Sequence, residues 1–221
     1  AESIQTAELS KLIENTQRGI NIAFINEMFQ LAEELDLDFN QVLSCARTKW
    51  NFLDFKPGLV GGHCVAVDPY YLLHCQSKLN LPAGMTHTAR QTNEKMIGHI
   101  ARSFMKGMAK AGLIFTKAKV LVIGASFKPD CPDMRNSKAL CVIQELIEFG
   151  IQPEVFDPVA NFSEDSCYTI HTKIPQASYD AILMLVPHSI VIESLKGASQ
   201  SLLKPSGVLY SLDATYKTLV T

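Results

Sequence analysis

The sequence predicts an α/β protein in two parts, a helical region over residues 1–115 and a parallel-sheet region over residues 116–221. Apolar residues recur at helical spacing, without proline, from Thr6 to Leu35 and again from Thr86 to Gly112. Beyond the second of these segments, short runs of β-branched and apolar residues alternate with helical stretches. This alternation is typical of a parallel sheet that helices cover on both faces.

Four helices are expected in the first part. The first spans Thr6 to Leu35, with Thr6 as its cap and Glu8 in its first turn. The others are predicted over Asp38–Lys49, Asp68–Leu79 and Thr86–Gly112. The helix over Asp68–Leu79 carries Pro69 at its second position, where a helix tolerates proline.

The second part is predicted to hold four strands, Lys119–Gly124, Pro153–Phe156, Asp180–Val186 and Gly207–Leu212, with a helix over Ser137–Phe149. Ligands of such sheets bind beyond the carboxyl ends of the strands. The loop after the first strand, and Asp157 after the second, are therefore predicted to bind a nucleotide. The chain contains no G-x-G-x-x-G motif, so this half is not predicted to be a standard dinucleotide site.

Composition favours an ordinary globular protein, with 47% hydrophobic and 19% charged residues. A net charge of −2 gives no support for a nucleic-acid or membrane-surface role, and no apolar run is long enough for a membrane span. Six cysteines without a C-x-x-C pair predict reduced thiols in a cytoplasmic protein, with neither disulfides nor a metal site. The first residues, AESIQTAE, include no Met, which indicates a piece of a longer chain.

The segment KPGLVGGHCVAVDPYYL, residues 56–72, places several glycines immediately before Cys64. Glycine lets the backbone approach a ligand closely, and a cysteine held beside exposed N–H groups can act as a thiolate nucleophile. Asp68 follows four residues later and could hold a water or a cationic partner near the sulfur. The alternative is a tight turn around a buried cysteine, and local chemistry alone leaves both interpretations open.

Two side-chain pairs lie four residues apart on the first predicted helix. Lys11 and Asn15 share one face, and Glu14 and Arg18 share another. An ammonium and an amide are suitable hydrogen-bond donors to an oxyanion, and Lys11 could also relay a proton if burial lowers its pKa. The alternative is that all four form a solvated helix face.

Three stretches resemble segments of one family. GGHCVAVDPYYL is similar to the catalytic-cysteine segment of the UDP-glucose/GDP-mannose dehydrogenase family, and AELSKLIENTQRGINIAFINE to its central helix. FKPDCPDMRNSK resembles the loop of its C-terminal UDP-binding domain. The resemblance implies an all-helical central dimerisation domain followed by a Rossmann-like UDP-binding domain, without the N-terminal NAD-binding domain. TKWNFLDFKPGLVGGHC is most similar to UDP-N-acetylglucosamine and UDP-N-acetylgalactosamine 6-dehydrogenases of surface-polysaccharide synthesis.

This resemblance implies an NAD-dependent, two-step oxidation of a UDP-sugar C6 alcohol to a carboxylate. Cys64 would form a thiohemiacetal and then a thioester, while Lys11 and Asn15 would hold the oxyanion. Asp68 and Lys11 would position the hydrolytic water, and Arg135 would reach the NAD cofactor. Substrate contacts are expected from Phe55, Lys56, Pro57, Gly58, Gly61, Arg90 and Lys128.

Several points of the resemblance are weaker. Arg90 and Asn93, in ARQTNEKM, are second-rank site candidates whose alternative is a surface pair. The family's V-x-H-D/E-x-F appears here as VPHSIVI, which lacks the acid and weakens any role for His188.

Two other function classes remain open. One is a non-redox nucleotide-sugar-binding or dimerisation module. The other, a cysteine hydrolase, lacks a convincing partner because the side chains of His63 and Cys64 diverge from adjacent positions. A homodimer is expected, because both long helices carry more apolar surface than a small domain would bury.

Overall fold

The computed structural model describes residues 1–161, 168–196 and 202–213, and the chain separates into two compact units, Ala1–Met96 and Ile97–Thr221. The first unit is helical and the second holds a parallel sheet, so the predicted α/β fold class is confirmed. The predicted domain limits, 1–115 and 116–221, stay a prediction.

The first four helices lie close to their predicted spans: α1 Ile4–Glu34, α2 Phe39–Ala46, α3 Asp68–Lys78 and α4 Gly84–Lys110. The predicted cap of α1 is wrong. Ser3 is the N-cap, and its hydroxyl accepts a hydrogen bond from the Thr6 N–H at 3.1 Å. Because Ser3 satisfies that N–H group, the helix begins upstream and Thr6 lies inside it.

The buried face of α1 combines small and polar residues, among them Gly19, Ala23 and Asn26, with the large apolar side chains of Ile25 and Phe29. Much of its predicted apolar stripe is exposed in the single chain, at 51% to 57% for Leu9, Ile13, Phe24 and Leu31. By contrast, the apolar residues of α4 that suggested a second exposed surface, Ile100, Phe104 and Met108, are fully buried. The predicted surplus of apolar surface is therefore present on α1, whereas for α4 the prediction is wrong.

The sheet has five parallel strands in the order β3-β2-β1-β4-β5. They span β1 Val120–Ile123, β2 Glu154–Phe156, β3 Ile170–His171, β4 Tyr179–Met184 and β5 Leu203–Ser211, with helices α5 Lys138–Glu148 and α6 Ser189–Lys196. The prediction of four strands missed β3, because a two-residue strand shows no periodicity. The strand order reverses between β1 and β4, which is the Rossmann-like arrangement that the resemblance implied.

The end of β1 requires a glycine. Gly124 has a φ of +83°, and a Cβ at this position would lie 2.2 Å from the carbonyl oxygen of Val186. The loop that follows β1 therefore starts with a turn that a larger residue would not permit.

Within the described ranges, no helix has the length and hydropathy needed to cross a membrane. The described cysteines, Cys45, Cys64, Cys75, Cys131 and Cys141, are free thiols. Cys167 lies outside the described residues.

Candidate active site and nucleotide-binding loop

Cys64 lies in a turn immediately before α3, with an exposed thiol. Its carbonyl accepts hydrogen bonds from the N–H groups of Val67 at 3.0 Å and Asp68 at 2.8 Å, and Gly62 enters the turn with a φ of +80°. The interpretation of a buried cysteine is therefore wrong, because the sulfur faces solvent.

Asp68, the first residue of α3, connects the turn to α1. Its side chain is 7% exposed, and Oδ2 accepts hydrogen bonds from Lys11 Nζ and Asn15 Nδ2, both at 2.8 Å. Lys11 and Asn15 therefore share a face, as their spacing predicted. The solvated-face alternative describes only the other pair, Glu14 and Arg18, whose exposed side chains are 2.7 Å apart.

Lys11 remains a cation in this arrangement. Its hydrogen bond to Asp68 raises its pKa, and the charges of Asp68, Cys64 and Glu14 act in the same direction. The side chain is 57% exposed. The hypothesis that burial lowers the Lys11 pKa for proton relay is therefore wrong, whereas a charged hydrogen-bond donor is available beside the thiol.

Asn26, which the sequence analysis did not single out, anchors the glycine loop. It is fully buried, and its amide binds both backbone groups of Gly58, accepting from N at 2.8 Å and donating to O at 3.0 Å. It also donates to Asn93 Oδ1 at 2.9 Å. The available signal was its place on the helix face shared with Gly19 and Ala23, where a polar side chain needs partners.

Asn93 and Arg90 are not the surface pair that was the alternative to a site. Asn93 donates to the Gly19 carbonyl at 2.9 Å in addition to accepting from Asn26. The guanidinium carbon of Arg90 lies 3.6 Å from the centre of the Tyr70 ring, and Arg90 Nη2 donates a hydrogen bond to the Tyr70 hydroxyl at 2.6 Å. Its Nε has no hydrogen-bond partner among the described residues, and Arg90 lines a cavity of about 20 Å³ with Thr16.

The remaining expected substrate contacts form the loop before Cys64. Phe55, Pro57, Gly58 and Gly61 are half-buried, and Lys56 is exposed. Apart from Gly58 itself and its two neighbours in the chain, no atom lies within 4 Å of the point where a Cβ of Gly58 would be, so its backbone leaves space for a ligand. Because Asn26 holds both polar groups of Gly58, this open backbone has a defined position.

In the second unit, Lys128 lies on the loop that follows β1, where the strand order reverses. Its side chain is exposed, with Nζ 5.3 Å from the Phe127 ring centre. Arg135, 75% exposed, forms a bidentate pair with Asp133, at 3.0 Å from Nε and 2.8 Å from Nη2. Both cations are accessible to a ligand, and the loop that carries them follows the carboxyl end of β1, where ligands of such sheets bind.

Asp157 was predicted to bind a nucleotide, but its side chain is fully buried and is not available for direct contact with one. It is fully buried, and its Oδ2 accepts hydrogen bonds from the N–H groups of Ala125 at 2.8 Å and Ser126 at 3.2 Å. Oδ1 accepts from Val159 and Ala160, both at 2.9 Å. Burial alone would raise its pKa, but the hydrogen bonds from His188 and these amides lower it to about 2. Asp157 therefore shapes the loop as a carboxylate.

His188 is also fully buried and belongs to the same network. Its Nε2 lies 3.0 Å from Asp157 Oδ2 and 3.2 Å from Ser126 Oγ, and its Nδ1 accepts from the Asp130 N–H at 2.9 Å. The family motif has an acidic residue after this histidine, and Ser189 stands in its place here. Ser189 instead donates to Asp130, from N and from Oγ, each at 2.7 Å. The altered VPHSIVI segment thus retains a structural role.

Comparisons with known proteins identify one family for both parts of the chain. The central-domain profile of the UDP-glucose/GDP-mannose dehydrogenase family matches residues 5–95, and the UDP-binding-domain profile of the same family matches residues 121–210. The first match contains the Cys64 turn, and the second contains the Lys128 loop.

Individual relatives are similar over about half their own length. Protein CapL from Staphylococcus aureus is 41% identical over 96% of this chain and 50% of the relative. UDP-N-acetyl-D-glucosamine 6-dehydrogenase from Pseudomonas aeruginosa is 39% identical over 96% of this chain and 51% of the relative. The solved structure of UDP-D-ManNAc dehydrogenase from Pyrococcus horikoshii has a TM-score of 0.72 at 28% identity, covering 88% of this chain and 44% of that chain. With both of its profiles matched in order along the sequence, this chain belongs to the UDP-glucose/GDP-mannose dehydrogenase family.

Proposed function

We propose that this chain supplies the nucleophile and the UDP-sugar site of an NAD-dependent nucleotide-sugar 6-dehydrogenase whose substrate is a UDP-N-acetylhexosamine. The observation that carries the proposal is the convergence of Lys11 and Asn15 on the Asp68 carboxylate, one turn beyond the exposed Cys64. The choice of sugar rests on the loop around Cys64 and on the name of the Pseudomonas aeruginosa relative.

The complete reaction would convert one C6 alcohol, two NAD⁺ and one water into a carboxylate, two NADH and three protons. NAD, when bound in the complete protein, would supply the hydride acceptor for both oxidations of the C6 carbon. Between them, the Cys64 thiolate would attack the aldehyde and form a thiohemiacetal, which the second oxidation converts to a thioester. Water would then attack the thioester carbonyl, and the Cys64 thiolate would leave as the carboxylate forms.

Lys11 and Asn15 suit the stabilisation of an oxyanion in this sequence. Lys11 carries a positive charge, and a side-chain amide has two hydrogens, of which Asn15 uses one for Asp68. The second amide hydrogen and the Lys11 ammonium would donate to the oxyanion of the thiohemiacetal. Asp68, which fixes the direction of both donors, would position the attacking water together with Lys11.

The residues described here do not fit a complete NAD site. The chain has no G-x-G-x-x-G turn to hold the pyrophosphate, and Arg135 could contact a cofactor without holding it. We therefore expect the chain alone to bind UDP-sugar weakly and to produce no NADH. Production of NADH by the purified 221-residue chain, followed by absorbance, would contradict this division of roles.

The nucleophile is tested by Cys64→Ser in the complete enzyme. An alkoxide forms and leaves less readily than a thiolate, so the variant should stall after the first oxidation. Cys75→Ser, which changes another exposed free thiol, is the matched control. Normal carboxylate production by Cys64→Ser would remove Cys64 from the mechanism. UDP-sugar binding without oxidation by any form of the complete protein would favour the non-redox binding module.

The nucleotide site is tested at Lys128. A charge-assisted contact is typically worth about 1.5–3 kcal/mol, so Lys128→Ala should weaken UDP-sugar binding roughly ten-fold or more in a calorimetric titration. Lys117→Ala is the control, because this exposed lysine precedes β1 at the opposite end of the strand. Unchanged affinity in the Lys128 variant would move the nucleotide site elsewhere.

A homodimer is proposed through the exposed face of α1. Leu9, Ile13, Phe24 and Leu31 recur on one side of this helix and are each more than half exposed. A second copy would cover that face. Light scattering after size-exclusion chromatography should show a dimer for the chain and a monomer for Phe24→Glu; a monomeric wild type would contradict the proposal.

A further inference from the structure

Lys128 lies on a loop without helix or strand, so its position depends on how the backbone around it is held. Before Lys128 in the chain, the Ser126 hydroxyl donates a hydrogen bond to the Lys128 carbonyl at 3.0 Å. On the other side, the Asp130 N–H donates to His188 Nδ1 at 2.9 Å. The loop therefore reaches a fully buried imidazole within two residues of the exposed lysine.

The partners of His188 determine its tautomer. A backbone N–H group can only donate, so Nδ1 must carry the lone pair that accepts from Asp130. The ring hydrogen is then on Nε2, which donates to Asp157 Oδ2 at 3.0 Å and shares this hydrogen with Ser126 Oγ at 3.2 Å. The buried carboxylate of Asp157 thereby orients the ring so that Nδ1 points at Asp130.

The Asp130 side chain ties the same loop to a second element. Its carboxylate accepts from the N–H and hydroxyl groups of Ser189, the first residue of α6. His188 and Ser189 are adjacent, so one backbone segment after β4 holds Asp130 through both its N–H and its side chain. Cooperative hydrogen bonds of this kind restrict the conformations of a loop.

We propose that His188 is a positioning residue for nucleotide binding, which holds Lys128 in its binding position by accepting the Asp130 N–H. This inference rests on the proposed UDP site at Lys128. Because His188 is fully buried, its effect on a nucleotide is transmitted through the loop rather than by contact.

Two substitutions separate the functions of the two ring nitrogens. His188→Asn keeps an acceptor near the place of Nδ1 but loses the donor to Asp157. His188→Gln keeps a donor near the place of Nε2 but loses the acceptor for Asp130. The expected result is that His188→Gln weakens UDP binding roughly three- to ten-fold, the effect of one lost hydrogen bond, while His188→Asn stays within about two-fold of wild type.

A double-mutant cycle tests whether this effect passes through Lys128. In the Lys128→Ala background, His188→Gln should cause no further loss of UDP affinity, whereas a general loss of structure would lower affinity in both backgrounds. Equal affinities of the Asn and Gln variants, or an undiminished effect in the Lys128→Ala background, would overturn the positioning role. If Lys128→Ala itself leaves UDP affinity unchanged, the proposed nucleotide site fails first.

Two measurements remain decisive if a His188 variant does not fold. The ¹⁵N chemical shifts of His188 in the wild-type chain should show an unprotonated Nδ1 and a protonated Nε2, and the reverse assignment would overturn the proposal. Ser126→Ala removes the hydrogen bond to the Lys128 carbonyl. It should weaken UDP binding in the wild-type chain but not in the Lys128→Ala variant. Unchanged UDP affinity in Ser126→Ala would show that the loop needs no such restraint.

Discussion

The Cys64 turn and the Lys128 loop both precede a helix, but different chemistry holds each of them. The glycine loop that leads into the turn is held by neutral amides: Asn26 binds Gly58 and Asn93, and Asn93 binds Gly19. The loop depends on a buried carboxylate that accepts four backbone N–H groups and the ring of His188. Hydrogen bonds to a charged group are stronger than those between neutral groups, but they depend on pH. The two regions should therefore respond differently to substitution and to acid.

The largest effect on stability is expected for Asp157→Ala. The substitution leaves buried N–H groups of the Lys128 loop without an acceptor, and we expect a loss of more than about 3 kcal/mol in the free energy of unfolding. Urea denaturation measures this loss. Asp54→Ala, at an exposed carboxylate paired with Arg47, is the control and should stay within about 0.5 kcal/mol of wild type. Similar losses in both variants would contradict the assignment of the Asp157 network.

A smaller loss of about 2–3 kcal/mol is expected for Asn26→Ala, because the Gly58 N–H and C=O groups lose a neutral partner. Asn21→Ala, on the same helix and half-exposed, is the matched control. In the complete enzyme, Asn26→Ala should also slow the oxidation of the substrate that depends on Cys64, since the glycine loop before Cys64 loses the side chain that fixes its position. A loss as large as that of Asp157→Ala would remove the difference between the two regions.

Acid should loosen the Lys128 loop before the glycine loop around Gly58. The folded-state pKa of Asp157 is about 2, below its ordinary value of 3.8, so its stabilising contribution is complete above about pH 4 and is lost as the pH falls towards 2. The pKa values of Asp130, Glu154 and Asp180 are also lowered, and all three lie in the same unit. Hydrogen exchange relative to intrinsic rates should accelerate at Ala125 and Ser126 over this range, with little change at Gly58. Equal acceleration at Gly58 would contradict the comparison.

The smallest effect on stability is expected for Lys11→Met, because the Lys11 side chain is largely exposed and the melting temperature should not change measurably. Its activity in the complete enzyme should nevertheless fall about 10²-fold, since an oxyanion donor is removed. Arg18→Met, which breaks the exposed pair with Glu14, is the control for charge removal on the same helix. Equal activities of the two variants would exclude Lys11 from the chemistry.

Much of the candidate site could be predicted from the sequence because its signals are local. The spacing of Lys11 and Asn15 places them on one face of any helix, and the glycines before Cys64 are visible in a single segment. The partner of Lys11 and Asn15 was less accessible, since Asp68 lies 57 and 53 residues further along the chain. The roles of Asn26 and His188 were missed for the same reason.

The sequence by itself determined the fold class, the spans of the long helices and the place of Cys64 directly after a run of glycines, because periodicity and glycine content act within a few residues. Only the tertiary structure decided that the Cys64 thiol is exposed, which face of α1 is buried, and that the Asp157 carboxylate is buried against backbone N–H groups. These outcomes depend on contacts between segments distant in sequence, such as Asn26 with Gly58, 32 residues apart, and Asp130 with His188, 58 apart. A buried polar group takes whichever partners the folded chain brings within hydrogen-bonding distance, and no local pattern specifies them.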